Sequence, residues 1–308
     1  MRWVFNLILA VVVMAVGHGG WALADPAGEI KVKGLKFVLA HRNPDHGLPL
    51  RPGGPSEAET TSWTVISLAL TGADQEALDS ALRFLDLTGE EGGIIRSIPQ
   101  TAYRAMALAV SRGPTRQVQE ACRQLLVAQR TEGGFSRLKG DGPAQTISTV
   151  AALEGMLAAG MSSLSPAVED GLDWLHAAQN PDGGWPLEPG GPSLSLSTAR
   201  VLRLFGRIKC FPEACGWGVS WLLKCRRPEG GFGLVPQAPA DPELTALAAL
   251  ALRSLDGPEK VIAQALSNLA SVQEADGGFV SHVPQAFNGQ AHKNLRTTNL
   301  AVWAAVGR

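Results

Sequence analysis

The chain has 308 residues, 45% of them hydrophobic, and its 27 Lys and Arg residues nearly balance its 28 Asp and Glu residues. That balance leaves no strongly basic face for phosphates, so nucleic acid is not an expected partner. The hydrophobic content suffices for a large folded core and argues against a disordered chain.

The first 24 residues have the pattern of an export signal. Arg2 precedes an apolar run from Trp3 to Val16, and the small-residue end Ala22-Leu23-Ala24 follows. This order is typical of a secretory signal peptide, here cleaved before Asp25. The run is short for a membrane span, and no later apolar stretch approaches that length. We therefore expect a signal peptide over residues 1–24, a mature domain over 25–308 without a stable transmembrane segment, and a periplasmic or extracellular location.

After residue 25 the sequence is organised as six repeats with a period of roughly 47 residues. Each repeat is a helical stretch that runs into a turn containing an acid and glycine. Glycine suits such a turn because a helix end commonly needs a positive φ. A large apolar residue follows each turn and is expected to plug it against the neighbouring repeat. The turns are Asp45-His46-Gly47, Glu91-Gly92-Gly93, Glu132-Gly133-Gly134, Asp182-Gly183-Gly184, Glu229-Gly230-Gly231 and Asp276-Gly277-Gly278.

Each turn leads through a loop to a second helix that is rich in small and hydroxyl residues. These second helices carry few charges and are apolar around most of their circumference, whereas the first helix of each repeat is amphipathic. An inner ring of helices covered by an outer ring explains both patterns. We therefore predict an all-α fold, an (α/α)6 toroid of six helical hairpins. The inner helices are predicted at roughly 58–70, 101–110, 144–159, 195–205, 242–255 and 295–306.

Four cysteines fit an oxidising compartment. Cys210 and Cys215 flank a short proline-containing loop and are the candidates for a local disulfide. Cys122 and Cys225 lie in apolar helical patterns, where each is expected to be a buried small hydrophobe.

Gln179 to Trp185 resembles the QW repeat, with weaker copies at Gln129 to Phe135 and Gln273 to Phe279. QW repeats are shared by triterpene cyclases and protein prenyltransferase β subunits, so the mature chain resembles this family along its whole length. The resemblance implies the (α/α)6 toroid. It implies much less about a reaction, because these repeats are scaffold elements.

The fifth inner helix begins Asp241-Pro242-Glu243-Leu244-Thr245-Ala246, which resembles the Asp-x-Asp-Asp-Thr-Ala motif of squalene-type cyclases. In that motif the central acid protonates an alkene. Glu243 holds the central place here, and Leu244 replaces the third acid. The resemblance makes Asp241 and Glu243 the candidate catalytic acids. The alternative is that both stabilise the helix N-terminus and that Arg296, on the next inner helix, pairs with one of them.

The zinc site of the family's prenyltransferases is altered as well. Those enzymes use an Asp, a Cys two residues later and a His at the start of the next inner helix. Glu243 and Arg296 stand at the Cys and His positions, and a cation cannot ligate zinc. We therefore expect no metal and no other cofactor.

The inner ring is expected to present aromatic, hydroxyl and cationic side chains to the bore, a mixture suited to an isoprenoid or other lipid-like molecule with an anionic head. The residues predicted near the bore are Thr60, Thr61, Trp63, Tyr103, Arg104, Thr149, Thr198, Arg200, Glu243, Arg296 and Trp303, of which Arg296, Tyr103, Arg104, Trp63 and Trp303 are the candidate binding residues.

Three functions are compatible with these patterns. Because both catalytic motifs are altered, and because the family's cyclases normally have a second toroid-like domain, we expect mainly a protein that binds a hydrophobic ligand or a protein partner without catalysis. The first alternative is a cyclase-like or prenyltransferase-like enzyme acting on an isoprenoid. The second is an exported polysaccharide lyase, because Gln179 to Pro186 also resembles a segment of toroidal pectate lyases.

Overall fold

The computed structural model describes residues 25–89, 97–283 and 292–307, and within these ranges twelve helices form six hairpins. The even-numbered helices form the inner ring, each packed on the next, and α12 packs on α2 to close it. The odd-numbered helices cover this ring from outside. The predicted all-α toroid is therefore confirmed. The helices are α1 Pro26–Ala40, α2 Ala58–Thr71, α3 Gln75–Gly89, α4 Ile98–Arg112, α5 Arg116–Ala128, α6 Thr146–Ala158, α7 Pro166–Ala177, α8 Ser195–Ile208, α9 Pro212–Lys224, α10 Pro242–Ser254, α11 Glu259–Val272 and α12 Leu295–Val306.

A short antiparallel hairpin precedes α12, where the sequence predicts only a loop. Its strands are β1, Phe279–Ser281, and β2, His292–Asn294, and Ser281 pairs with His292. The predicted signal peptide and the second turn, Glu91-Gly92-Gly93, lie outside the described residues. In the part of the chain that the structure describes, no helix is both long enough and apolar enough to cross a membrane.

The glutamine that recurs in three of the repeats connects one hairpin to the next. Gln179 Nε2 donates to the carbonyl oxygen of Gly183 in its own turn at 2.8 Å and to that of Ala214 in α9 at 2.9 Å. Gln129 makes the corresponding pair of bonds, one of them to α7. Gln273 donates to Gly277 and to Ile30 of α1, which joins the last repeat to the first. The repeated glutamine therefore also closes the ring.

The first glycine of the turn is required by both conformation and space. Gly183 has φ +95°, a region that residues with a Cβ rarely adopt. A Cβ at this position would also lie 2.7 Å from the backbone carbonyl oxygen of Trp217 in α9. The turn can therefore pack directly against the next outer helix only because Gly183 has no side chain.

A threonine occupies the fourth position of each inner helix, and in four of these helices it anchors the residue after the turn. The Thr198 Oγ1 atom accepts the backbone N–H of the fully buried Trp185 at 2.9 Å. Equivalent bonds join Thr61 to Leu48, Thr149 to Phe135 and Thr245 to Phe232. Thr61, Thr149 and Thr198, expected near the bore, are thus engaged with the turns. The remaining members of the series are Thr101 and Thr298.

Cys210 and Cys215 are free thiols in the structure. Cys215 Sγ lies 3.6 Å from the carbonyl oxygen of Cys210. Burial raises the pKa of Cys210 to about 12 and that of Cys215 to about 11. The disulfide between them is not formed in this structure and stays a prediction.

Candidate active site

The N-terminal ends of all six inner helices surround one cavity of about 350 Å³. They meet there because every hairpin runs from outer helix to turn to inner helix, which places all inner N-termini at the same end of the ring. The second residue of each inner helix lines the cavity, and the positive ends of six helix dipoles point toward it. These second residues are Glu59, Pro99, Ile147, Leu196, Glu243 and Arg296.

The acidic residues of the cavity lie on one side of it. Glu59, Glu243 and Arg296 come from α2, α10 and α12, which are neighbours in the ring. The opposite arc, α4, α6 and α8 with the loops before them, contributes the apolar Pro99, Ile147, Leu187 and Leu196 together with the polar Ser97, Gln145, Ser148, Tyr103 and Arg200. An apolar group held against the second arc would therefore face the carboxyl groups of the first.

Glu243 is almost fully buried, with 1% of its surface exposed. Its Oε2 atom accepts hydrogen bonds from Arg296 Nη2 and from Thr297 Oγ1, both at 3.0 Å. Although burial opposes it, the carboxylates of Glu243 and Glu59 raise the pKa of Arg296 above its ordinary value. Both hydrogen bonds end on Oε2, so Oε1 takes part in neither of them. The pairing of Arg296 with one of the two predicted acids is thus present, and the acid is Glu243.

Asp241, the other predicted acid, has a different environment. It is the N-cap of α10, and its carboxylate accepts from the backbone N–H groups of Glu243 at 2.8 Å and His282 at 2.6 Å. Ser281 Oγ donates to both of its oxygens. Burial raises the pKa of Asp241, against the lowering effect of these hydrogen bonds. Through these hydrogen bonds Asp241 fastens the β1–β2 hairpin to α10. Asp241 lines a separate cavity of about 430 Å³ and is not among the residues that line the cavity of Glu243.

A pair of buried polar side chains lies at the bottom of the cavity. Arg200 Nη1 donates to Tyr103 Oη at 2.8 Å, and only 8% and 2% of these residues is exposed. Burial raises the pKa of Tyr103 to about 12. The Trp63 ring lies 4.6 Å from the Tyr103 ring and 4.6 Å from the Trp303 ring. Trp63, the sixth residue of α2, lies at the level of Tyr103, Trp303 lies about one turn deeper on α12, and neither lines the cavity.

Arg104 is not among the residues that line the cavity. It donates from Nε to the carbonyl oxygen of Leu85 in α3, an outer helix. Sequence reasoning missed Glu59, Arg137 and Gln145, which do line it. Glu59 had a usable signal, because it precedes the threonine of its helix by two residues, as Glu243 and Arg296 do in theirs.

The residues at the family's zinc position do not fit a zinc ion. Asp241 is committed to four hydrogen bonds, and Arg296 donates to Glu243 from the place of the histidine ligand. Among the described residues, no group of three or more His, Cys, Asp or Glu side chains is placed to hold a metal.

Comparison with known proteins adds to this geometry. A family model described as the prenyltransferase alpha-alpha toroid domain matches residues 102–294. A drimenyl diphosphate synthase from Streptantibioticus cattleyicolor is 31% identical over 170 residues, which cover 50% of this chain and 31% of the synthase. The chain spans about a third of the length of the curated relatives it matches.

Two solved structures show the same fold. A variant of the type II terpene cyclase MstE from Scytonema, in complex with its substrate geranylgeranyl dihydroxybenzoate, has a TM-score of 0.72 and 16% identity, with coverage of 91% of this chain and 96% of that one. A glycosidase variant in complex with glucose has a TM-score of 0.66 and 13% identity, covering 91% and 96%. At these identities the likeness concerns the fold alone.

These relatives correct the main expectation from the sequence. A protein that binds a ligand or partner without catalysis was expected, yet the matched relatives are synthases by name and the MstE chain is a cyclase. The non-catalytic interpretation is therefore wrong. The alternative of an enzyme acting on an isoprenoid agrees better with the relatives.

Proposed function

We propose that this chain, which belongs to the prenyltransferase alpha-alpha toroid domain family, is the catalytic toroid of an isoprenoid cyclase that starts by protonating a carbon–carbon double bond. One observation carries the proposal: a buried carboxyl group, Glu243, lines a cavity that all six inner helices enclose and that also contains the apolar side chains of Ile147, Leu187 and Leu196. The relatives named drimenyl diphosphate synthase support the same class of reaction.

The substrate we propose is a short linear isoprenoid. Its hydrocarbon end lies along Ile147, Leu187 and Leu196, where contact with apolar side chains replaces contact with water. The other end leaves through the mouth, where the exposed Arg137 and the helix N-termini favour an anionic group. The cavity volume of about 350 Å³ is near the lower end of the range for ligand pockets, roughly 300–1,000 Å³. Limited volume favours a short chain.

Glu243 acts as the general acid. When Glu243 is protonated for the reaction, the proton resides on Oε1, because Oε2 accepts from Arg296 and Thr297. The alkene π electrons take this proton to form a C–H bond, which leaves a tertiary carbocation and the Glu243 carboxylate. A neighbouring π bond then attacks the cation and forms a ring C–C bond. Loss of a proton from the final cation restores an alkene, and Glu59, the other carboxyl group of the cavity, can accept it. The product is an isomer of the substrate, so no oxidant or reductant is required.

Arg296 has a positioning role in this scheme. It holds Glu243 Oε2 at 3.0 Å and leaves Oε1 toward the substrate. Thr297, the next residue of the same helix, fixes Oε2 from a second direction. Two donors on one oxygen restrict rotation of the carboxyl group, which keeps the proton donor in one orientation.

Reaction in deuterium oxide tests this proposal. The mature protein is incubated with prenyl diphosphates of two, three and four isoprene units, and the products are dephosphorylated and measured by gas chromatography with mass spectrometry. Protonation by Glu243 predicts a cyclic product that keeps its diphosphate and gains one deuterium on carbon. Cyclic product without deuterium, or with release of pyrophosphate, would contradict the proposal, because it would show that the reaction starts by ionisation.

A further inference from the structure

We infer that the hydrogen-bonded pair Tyr103 and Arg200 forms the floor of the cavity and sets the longest isoprenoid chain that can bind. This inference rests on the proposed function for the class of ligand. It concerns residues that the proposed reaction does not use. The pair spans from α4 to α8 in front of α6, whose residue at the same level is the small Ala151.

The register of the inner helices gives the depth of the floor. Glu243 and Arg296 are the second residues of their helices, whereas Tyr103 and Arg200 are the sixth residues of theirs. Four residues of helix correspond to about 6 Å along the axis. Tyr103 and Arg200 are the deepest inner-helix positions that line the cavity. A hydrocarbon chain entering at the mouth therefore meets this pair about one helical turn below Glu243.

The bore below the floor is filled by protein. Trp63, at the level of the floor on α2, packs edge to face against Trp303 about one turn deeper, and Arg203 lies 5.0 Å from the Trp303 ring centroid. Arg203 Nη1 also contacts the buried carboxylate of Glu154 at 2.6 Å. An apolar chain cannot displace these groups without separating a largely buried ion pair, which is unfavourable. The floor therefore sets a sharp limit on how deep a hydrocarbon chain can enter, and the bore does not narrow gradually beneath it.

The floor is also charged. Arg200 lies 5.9 Å from the centroid of the Trp63 ring, so one aromatic face beside the floor is already paired with a cation. A carbocation that moved toward Trp63 would approach the guanidinium and be repelled. Charge as well as size thus confines the hydrocarbon chain and its cyclisation to the space above Tyr103.

Ligand-length preference tests the inference without relying on turnover. Binding of prenyl alcohols of two, three and four isoprene units is measured by calorimetry for the wild type and for Tyr103→Ala. The truncation opens the floor toward Ala151, so affinity for the next longer alcohol should rise about tenfold relative to the preferred one, since added methylenes in a pocket change affinity by this order. Tyr103→Phe keeps the ring and should retain the wild-type order of affinities.

Two further variants separate the floor from general effects on the fold. Met106→Ala truncates a buried residue about one turn deeper on the same helix and should not change the order while Tyr103 is present. Ser148→Leu fills the cavity from α6 and should weaken binding of the longest accepted alcohol most, which provides a test should Tyr103→Ala fail to fold.

The outcomes distinguish this inference from the proposed function. An unchanged order of affinities in folded Tyr103→Ala, or in Ser148→Leu, would overturn the inference. A changed order without any cyclic product from the wild type would support the floor and contradict the cyclase. If no prenyl alcohol bound to the wild type, the inference about the floor would be wrong, and the reaction of prenyl diphosphates in deuterium oxide would still decide the cyclase.

Discussion

The substitution Gly183→Ala tests how the hairpins are joined around the ring. The new Cβ would lie 2.7 Å from the carbonyl oxygen of Trp217 and 3.2 Å from its Cβ, at a residue with φ +95°. Real Cβ atoms do not approach backbone oxygen this closely, so either the turn or α9 must move. Gly190→Ala is a matched control, because Gly190 also has a positive φ of +82° but an added Cβ there has no atom within 4 Å.

The two substitutions share one cost and differ in another. Placing alanine at positive φ costs about 1–2 kcal/mol in each, and the smaller entropy of the unfolded alanine chain offsets about 0.4–1 kcal/mol of this. Only Gly183→Ala also adds overpacking, typically about 1–3 kcal/mol. We therefore expect Gly183→Ala to lower the free energy of unfolding by about 2–4 kcal/mol and Gly190→Ala by about 1 kcal/mol or less.

Urea denaturation followed by far-ultraviolet circular dichroism measures both values, provided that the transitions are two-state. If the two variants lost the same free energy of unfolding, the contact between the turn and the next outer helix would add nothing to the cost of the backbone conformation, contrary to this prediction.

Three other predictions concern the same repeat. Gln179→Ala removes one hydrogen bond within its own turn and one to α9, and should lower the free energy of unfolding by about 1–2 kcal/mol in the same urea assay; no loss would mean that the glutamine does not stabilise the ring. Thr198→Val keeps the shape but leaves the buried N–H of Trp185 without its acceptor, so a loss of about 1–3 kcal/mol is expected, and a neutral effect would contradict the anchor. Although burial opposes it, hydrogen bonds from Ser193 and neighbouring donors lower the pKa of Asp182. Asp182 therefore contributes stability above its unfolded pKa, and this stability is lost as the pH falls through its lower folded pKa. In a plot of unfolding free energy against pH, Asp182→Asn should flatten the decline on the acid side. An unchanged plot would show that Asp182 does not cause that decline.

The ring could be predicted from the sequence because its backbone requirements recur along the chain. A large apolar residue follows all six turns, the equivalent of Gly183 is present in five of them, and the glutamine is present in three repeats. The threonines at the fourth position of the inner helices are also evident in the sequence, but several of them were predicted to lie near the bore. Used instead as a register, Thr61 and Thr245 align Glu59 with Glu243 and would have placed both carboxyl groups at the mouth.

The candidate site was less predictable because its residues differ from repeat to repeat. Asp241 and Glu243 were treated as a pair, but positions two apart on a helix point about 200° away from each other. Asp241 thus caps α10 and holds Ser281, while Glu243 turns into the cavity. Nothing in the sequence indicated that Arg200 reaches Tyr103 across α6, because that contact depends on how the ring closes.

The role of Glu243 as the donor of the proton that starts cyclisation can be measured directly. The rate of cyclic product formation is compared for wild type, Glu243→Gln and Asp241→Asn. Glutamine is close to glutamate in size but cannot donate this proton, so Glu243→Gln should lower the rate by at least about 10²–10⁴-fold with an unchanged circular dichroism spectrum. Asp241→Asn alters an acid outside the cavity and, where folded, should retain cyclisation within about tenfold of wild type. Retained cyclisation in Glu243→Gln, or its loss only in folded Asp241→Asn, would contradict the account.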